Sequence, residues 1–367
     1  MSLNIIYPSS TRDKYSQNDI VDFLISYEEK RVLMNSIRIT GVVRVVNAVT
    51  PYGRIDTSKA VNLDSVVGIH NAFQSITSSC DNFGIIENNT EYPRTYRMKM
   101  NASQPSTVMA NESNKSCELR LGMDPKSKYL VLGNNAPDND NGEGKDVSFS
   151  FKPDIALNKS SGDISYGKCG ALKVSLRLST NSQFLYGDNA GDYQYELRNL
   201  QLQYYSAPDK KGGGIAFESL YTVKGTAESN NTSLSTRVPA VVRSVSCVFV
   251  QQLHLDSAKY NNLIQERPPD VQRVEFSFND NTTQYVSFVF KNHDEILYNY
   301  QRSLGYNGKS NMSQSHLWGE GDYYGIGLPF NQLVDMRQSK FGLNIVSGIS
   351  NEVKYSVFMV FRGVVSL

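Results

Sequence analysis

The sequence predicts an all-β chain built as two β-rich halves of similar length. Three observations support this. Apolar residues recur with a period of two from end to end. Aromatic residues are numerous, 22 Tyr and 16 Phe against one Trp, and Gly, Asn and Ser fill the stretches between. A breaker cluster, Ala207-Pro208-Asp209-Lys210-Lys211-Gly212-Gly213-Gly214, stands between two such β-like regions. Successive side chains of a strand point to opposite faces, so alternation marks one buried and one wet face. Aromatic and β-branched side chains suit that pleated surface, whereas Gly, Asn and Ser suit turns.

The elements follow in order. Ile37 and Ile39 alternate with Arg38 and Thr40 and lead through Gly41 into Val42-Val43-Arg44-Val45-Val46. Val174, Leu176 and Leu178 alternate with Ser175, Arg177 and Ser179. Tyr193, Tyr195 and Leu197 share one face, then Leu200, Leu202 and Tyr204 continue on even positions. A slip of one residue turns every side chain to the other face, so the change at Arg198-Asn199 predicts a β-bulge or a break between strands. In the second half Val274, Phe276 and Phe278 alternate, Asn279-Asp280-Asn281 supplies turn chemistry, and Val286, Phe288 and Phe290 alternate again, which predicts a hairpin. Tyr355 to Phe361 is apolar on both faces and predicts a strand between two packed layers. Helical signals are few. Asp294 to Leu304 carries Ile296, Leu297, Tyr300 and Leu304 at helical spacing, with acids at its start and Gly305 beyond its end. Val66 to Ile76 and Ser257 to Gln265 read as short helices or turns.

A chain of 367 residues has room for two or three domains. The breaker cluster divides it into an N-terminal arm (1–17), a first half (18–206), a linker (207–214) and a second half (215–367). A polar, Gly-rich loop over 133–144 is expected at the surface between two strands. The formal net charge is +1, and Met1 to Asp19 holds only Arg12 and Lys14 as cations. Phosphate neutralisation dominates nucleic-acid affinity, so no direct nucleic-acid binding is expected. No run approaches the roughly 20 apolar residues of a membrane helix, and no signal peptide is visible. Cys80, Cys117, Cys169 and Cys247 show no CxxC pair or metal-ligand spacing, as expected of reduced thiols in a protein made in the cytosol.

No residue set reads as catalytic, cofactor-binding or metal-binding. Asp138-Asn139-Asp140-Asn141-Gly142 suggests a calcium loop, but placing Gly142 at position 6 puts Pro137 at position 1. Gly308-Lys309-Ser310 resembles the end of a phosphate loop, yet Ser303 stands where the first Gly belongs. Gly325-Ile326-Gly327 lacks the third Gly of a dinucleotide fingerprint, since Phe330 stands there. His70, His254, His293 and His316 form no HxH or HExxH pattern. The expectation is a protein that is not an enzyme.

Several segments in fixed order carry a resemblance. In the first half they are Asn35 to Gly41, Val67 to Ile76, Gly84-Ile85-Ile86-Glu87-Asn88 and Tyr92-Pro93-Arg94. In the second they are Val238 to Val242, the hairpin from Val274, Lys291 to Leu297, Gly325 to Phe330 and Lys340 to Ile345. Together they resemble the double jelly-roll major capsid proteins of Polinton-like viruses and related polintons, within the wider tectivirus and adenovirus lineage. The resemblance implies two tandem eight-stranded jelly rolls with strands normal to a capsid surface. It implies a homotrimer of hexagonal outline that tiles an icosahedral shell and meets minor capsid, penton and cement proteins in the virion. It places the 133–144 loop outward and Met1 to Asp19 inward or against a neighbour. The alternative is a glycan-binding β-sandwich, such as a spike, fibre or lectin, in which Tyr323-Tyr324 beside Trp318 would stack on sugars. An enzyme on the same scaffold would need a convergent polar pocket that the sequence does not reveal.

Overall fold

A computed structural model describes residues 1–47, 63–64, 66–103, 146–187, 190–209, 214–238, 240–279, 285–305 and 323–367. Among them the chain forms eighteen strands. Ten belong to the first half: β1 (Ser2–Ile6), β2 (Ile20–Ile25), β3 (Lys30–Val32), β4 (Arg38–Asn47), β5 (Phe73–Cys80), β6 (Gly84–Asn89), β7 (Val147–Phe151), β8 (Ile164–Ser165), β9 (Leu172–Leu178) and β10 (Tyr193–Pro208). Eight belong to the second: β11 (Ala216–Ala227), β12 (Asn231–Arg237), β13 (Val241–Gln251), β14 (Arg273–Asn279), β15 (Tyr285–Phe290), β16 (Ile326–Asp335), β17 (Lys340–Val346) and β18 (Tyr355–Ser366). Two longer helices accompany them, α1 (Tyr92–Ser103) and α2 (His293–Ser303).

The strands make three sheets. One runs β7-β4-β10-β3-β8, with β1 also paired to β10. A second, of eight strands, runs β16-β13-β18-β11-β6-β5-β9-β2 and so draws four strands from each half. The third runs β12-β17-β14-β15. Nearly all pairings are antiparallel. The exception is β11 beside β6, a parallel contact through Tyr221 and Asn88 where the two halves meet.

In the first half the outer sheet packs on β6-β5-β9-β2 over a core that includes Phe23, Phe73, Phe151, Leu176, Tyr195 and Phe217. The phase change in β10 is a bulge. Arg198 pairs with Val42 and Gln201 with Thr40, which leaves Asn199 and Leu200 opposite Gly41 alone. Asn199 takes a positive φ of 51°. The extra residue turns Leu200, Leu202 and Tyr204 onto the face that Tyr193, Tyr195 and Leu197 occupy earlier in the strand, and all six are buried. Gly41 fits the bulge because a Cβ there would stand 2.8 Å from the Phe149 ring and 2.9 Å from Leu200 Cδ2.

The second half repeats the layering with its own core, which includes Phe249, Phe276, Phe341, Val357 and Phe361. The expected hairpin is β14 and β15, with Val274 opposite Phe290 and Phe278 opposite Val286. β18 lies between β11 and β13, and Tyr355 to Phe361 are all buried. Its two faces have different partners. Phe361 meets Phe341 across the sandwich at 5.0 Å between ring centroids. Phe358, on the other face, lies under the Arg94 guanidinium of α1. The helix expected from Asp294 appears as α2, capped by Asn292, whose side chain accepts a bond from the Asp294 N–H at 2.9 Å. The region from Val66 resolves into a 3₁₀ turn, Gly68–Ala72, that enters β5 directly. Residues 257–265 form turns after a short helix, Gln252–Asp256. α1 has no counterpart in the sequence reading. Tyr96, Met98 and Met100 alternate as a strand would, and that pattern masks the helix.

Asn tolerates left-handed backbone far better than a β-branched residue does. Asn199→Gly is therefore expected to unfold within a few tenths of a kcal/mol of the wild type, and Asn199→Val to lose about 1–2 kcal/mol. Chemical denaturation of the two variants side by side checks this. Equal midpoints would show that the bulge does not depend on that conformation.

Candidate functional site

The densest set of buried polar groups lies on the seam between the halves, and α1 is its centre. The helix is buried nearly all round, which is the mark of an element enclosed by packed layers. Tyr92 joins the first core and Met98 the second. Tyr96 and Met100 form a third cluster with Val66, Val67 and Leu263, the last from the second half. His70 is fully buried here, with Nδ1 2.6 Å from the Tyr92 hydroxyl and its ring stacked on Tyr96 at 3.8 Å.

Glu87, on β6, is buried and joins the halves directly. Its Oε2 accepts the Ala156 N–H at 2.7 Å, and its Oε1 accepts the Leu220 N–H, from β11, at 3.0 Å. Lys159 Nζ lies 3.9 Å from Glu87 Oε1 and 3.5 Å from Asp154 Oδ2, and Lys99 Nζ lies 2.5 Å from Asp154 Oδ1. From the second half Arg362 pairs with Glu218 at 3.1 Å and donates to the Leu304 carbonyl at 2.9 Å. Asp154, Lys159, Glu218 and Arg362 line a cavity of about 30 Å³, room for a water or two. Burial pushes the Glu87 carboxyl up to about 7, against the pull of Lys159 and the Ala156 N–H. Burial would raise Asp154 as well, but Lys159 and Lys99 outweigh it and hold that carboxyl far below the ordinary range. Burial alone would lower Lys159, but Asp154 and Glu87 raise it.

Asp64 is a second anchor. It is fully buried, accepts the Val66 and Val67 N–H groups at 2.9 and 2.8 Å, and pairs with Arg97 of α1. Asn261 of the second half donates to its Oδ2 at 2.6 Å. Arg94 Nη2 donates to the Asn262 carbonyl at 2.9 Å, and its guanidinium lies 3.8 Å over the Phe358 ring. Every buried charge in these clusters thus has a charged or hydrogen-bonding partner, as burial requires.

The suspected motifs resolve differently. Gly325 and Gly327 serve packing, since a Cβ would stand 2.3 Å from the Tyr300 ring at the first and 2.1 Å from Ser303 Oγ at the second. They let α2 approach β16 closely. Tyr324 is a core residue beside Phe249, with ring centroids 6.0 Å apart, and Tyr323 packs against the same core. Tyr324 is therefore closed to a sugar. Trp318, Gly308-Lys309-Ser310, Asp138 to Gly142, the 133–144 loop, His316 and Cys117 lie outside the described residues. Cys80, Cys169 and Cys247 are buried free thiols, and burial pushes Cys169 up to about 12. Among the described residues no three of His, Cys, Asp and Glu are grouped to hold a metal ion, and no helix is long and apolar enough to cross a membrane.

No family model matches the sequence, and no curated protein does. Solved structures do match. The Faustovirus major capsid protein aligns with all of this chain and 90% of its own, at 8% identity and a TM-score of 0.57. A structure of the Sputnik virophage aligns with all of this chain and 86% of its own, at 9% identity and a TM-score of 0.60. The fold is a double jelly roll. The mavirus major capsid protein shares it over 98% of this chain and 86% of its own, at 10% identity and a TM-score of 0.53. Within this double jelly roll, eight described strands make up the second half and ten the first, where β1 and the short β3 and β8 add to the sandwich.

The seam predicts a pH dependence. A carboxyl with a higher pKa folded than unfolded stabilises fully below the unfolded value and loses that contribution as pH rises through the folded one. For Glu87 the window runs from 4.5 to about 7, with a loss on the order of 3 kcal/mol. Calorimetry is expected to show the wild-type Tm falling relative to that of Glu87→Gln between those pH values. Parallel curves would remove Glu87 as the titrating group.

Proposed function

We propose that this chain is the major capsid protein of an icosahedral virus, acting as a building tile and not as an enzyme. The observation that carries the reading is the whole-chain likeness to the Faustovirus and mavirus major capsid proteins, with both sandwiches aligned at once. The ordered motifs quoted above support the narrower Polinton-like lineage.

On this reading three copies form a trimer of hexagonal outline, each contributing two jelly rolls, and trimers tile the shell of the virion. The domains are a first jelly roll (18–206) and a second (215–367), with an arm (1–17) and a linker (207–214). Support comes from the two hydrophobic cores: apart from Met98 in the second and Ile215 and Phe217 in the first, the buried members of each come from one half, and Ala258, Val365 and Leu367 of the second half pack against the first core. Partners are further copies, together with minor capsid, penton and cement proteins. The net charge of +1 favours no direct hold on the genome.

The surface offers apolar contacts for such packing. Leu3 and Ile5 on β1 and Ile20 and Leu24 on β2 are about half exposed or more. Leu3 and Ile5 are successive positions on one face of β1, and Ile20 and Leu24 flank Asp22 on the outward face of β2, an edge of the second sheet; such apolar positions suit burial by a neighbour. Obligate interfaces are apolar at their centre and often exceed ~2,000 Å².

Light scattering and negative-stain microscopy of the purified chain test the proposal. The expected result is a stable trimer with a six-lobed outline. A monomer that persists at high concentration would overturn it.

A further inference from the structure

We infer that β15 of one copy lies beside β1 of the next, in parallel, and that this joint closes the trimer. The inference rests on the trimer proposed above and names the two strands that hold it together.

The two halves repeat one topology. With the short β3 and β8 set aside, each half has eight strands. In the second half the sixth, third, eighth and first strands form one sheet, β16-β13-β18-β11, and the second, seventh, fourth and fifth form the other, β12-β17-β14-β15. In the first half the same places give β7-β4-β10-β1 and β2-β9-β5-β6. Leu202 of β10 pairs with Ile6 on one side and with Ile39 on the other, so β1 lies across β10 from β4. β1 is thus the counterpart of β11, and β15 the counterpart of β6.

The chain itself shows how one jelly roll joins the next. The fifth strand of the first half, β6, lies parallel to the first strand of the second, β11, and two four-stranded sheets become the sheet of eight. A helix follows the fifth strand in each half, α1 after β6 and α2 after β15. α1 is enclosed between two jelly rolls, whereas α2 in the equivalent place keeps an open face, with Tyr298 58% exposed. The strands equivalent to the joined pair are open as well. Among the described residues no strand pairs with β15 on the side away from β14, or with β1 on the side away from β10. Both edges are apolar: Leu3 and Ile5 are about half exposed, and Phe288 and Val289 are 38% exposed. Neither Ser2–Ile6 nor Tyr285–Phe290 contains a charged residue, so both lack the charges that protect a free edge from pairing.

A second copy of the chain is the occupant that fits. It supplies a first strand whose counterpart already lies beside a fifth strand in this fold, in the same direction. Main-chain pairing of this kind gives affinity, and the outward side chains Leu3, Ile5 and Val289 are covered with it. The contact is heterologous, because the first half of one copy meets the second half of another, and such contacts form rings when the rotation closes. In a ring of three copies first and second jelly rolls alternate, and the joint between chains repeats the joint within each chain.

The test uses the full chain carrying Leu3→Cys and Val289→Cys together with Cys117→Ser, and a short bismaleimide cross-linker. Light scattering before treatment reads the oligomer, and a denaturing gel afterwards reads the covalent bonds. The expected result is a trimer in solution and covalent dimers and trimers on the gel, with nothing larger, because three bonds close the ring. Chains with Leu3→Cys alone or Val289→Cys alone should stay monomeric on the gel. Ile5→Lys changes an exposed side chain; it should keep the wild-type Tm and raise the concentration at which half of the trimer dissociates by about tenfold or more. A trimer in solution that gives only monomers on the gel would overturn the joint and leave the trimer standing. Ile5→Lys trimers as tight as the wild type would overturn the joint too. A wild-type monomer would remove the trimer and the joint together.

Discussion

The carboxyl group of Glu87, held between one N–H from each jelly roll, is the contact on which the double-sandwich unit turns. Ala156 N–H belongs to the first half and Leu220 N–H to β11 of the second. Without that carboxyl group both amides would lose their acceptor inside the protein. Lys159 would also lose a neighbour and depend on Asp154 and Glu218. The cost of unpaired buried groups is what makes the register of the two halves definite. Only one residue pair links β6 and β11 in the ladder, so backbone pairing alone does not fix that register.

α1 converts this contact into a broad seam. A helix laid between two sandwiches can serve a different neighbour on each side, and its residues divide accordingly. Tyr92 enters one core, Met98 the other, and Arg94, Arg97 and Lys99 bind groups outside the helix. The same division accounts for β18. A strand that is apolar on both faces needs two apolar or cation-bearing partners, and here they are the sandwich core and the guanidinium of Arg94. Breaking the seam would therefore disturb β18 and its neighbours in the second sheet and would not simply separate two independent domains.

Much of the fold is legible in the sequence because it rests on local periodicity. The β14–β15 hairpin, the β10 bulge, α2 and the two-faced strand β18 each follow from residues close together in the chain. The seam is not legible in that way. Glu87, Asp154, Glu218 and Arg362 lie far apart, each reads alone as an ordinary surface charge, and only the packing of β6, β11 and β18 brings them together. α1 is hidden for a related reason. Its polar residues are buried, so it shows no wet face, and the alternation of Tyr96, Met98 and Met100 mimics a strand. The glycines at 325 and 327 show the reverse error: a spacing that suggests a ligand motif records the close approach of two elements.

A polar seam is not the most stabilising way to join two sandwiches. Replacing buried ion pairs with well-packed apolar residues is often neutral or favourable, whereas removing one partner is costly. What a buried ionic network supplies is discrimination, because a shifted arrangement leaves charges unpaired, while apolar surfaces tolerate sliding. A tile that must present both its jelly rolls to neighbours in one fixed relation needs that discrimination more than it needs added stability. Small errors in the angle between halves would repeat in every copy of a closed shell. The seam's ionic composition is thus what the proposed role requires, and on that proposal the exposed apolar residues of β1 and β2 are the ones assigned to contacts between chains.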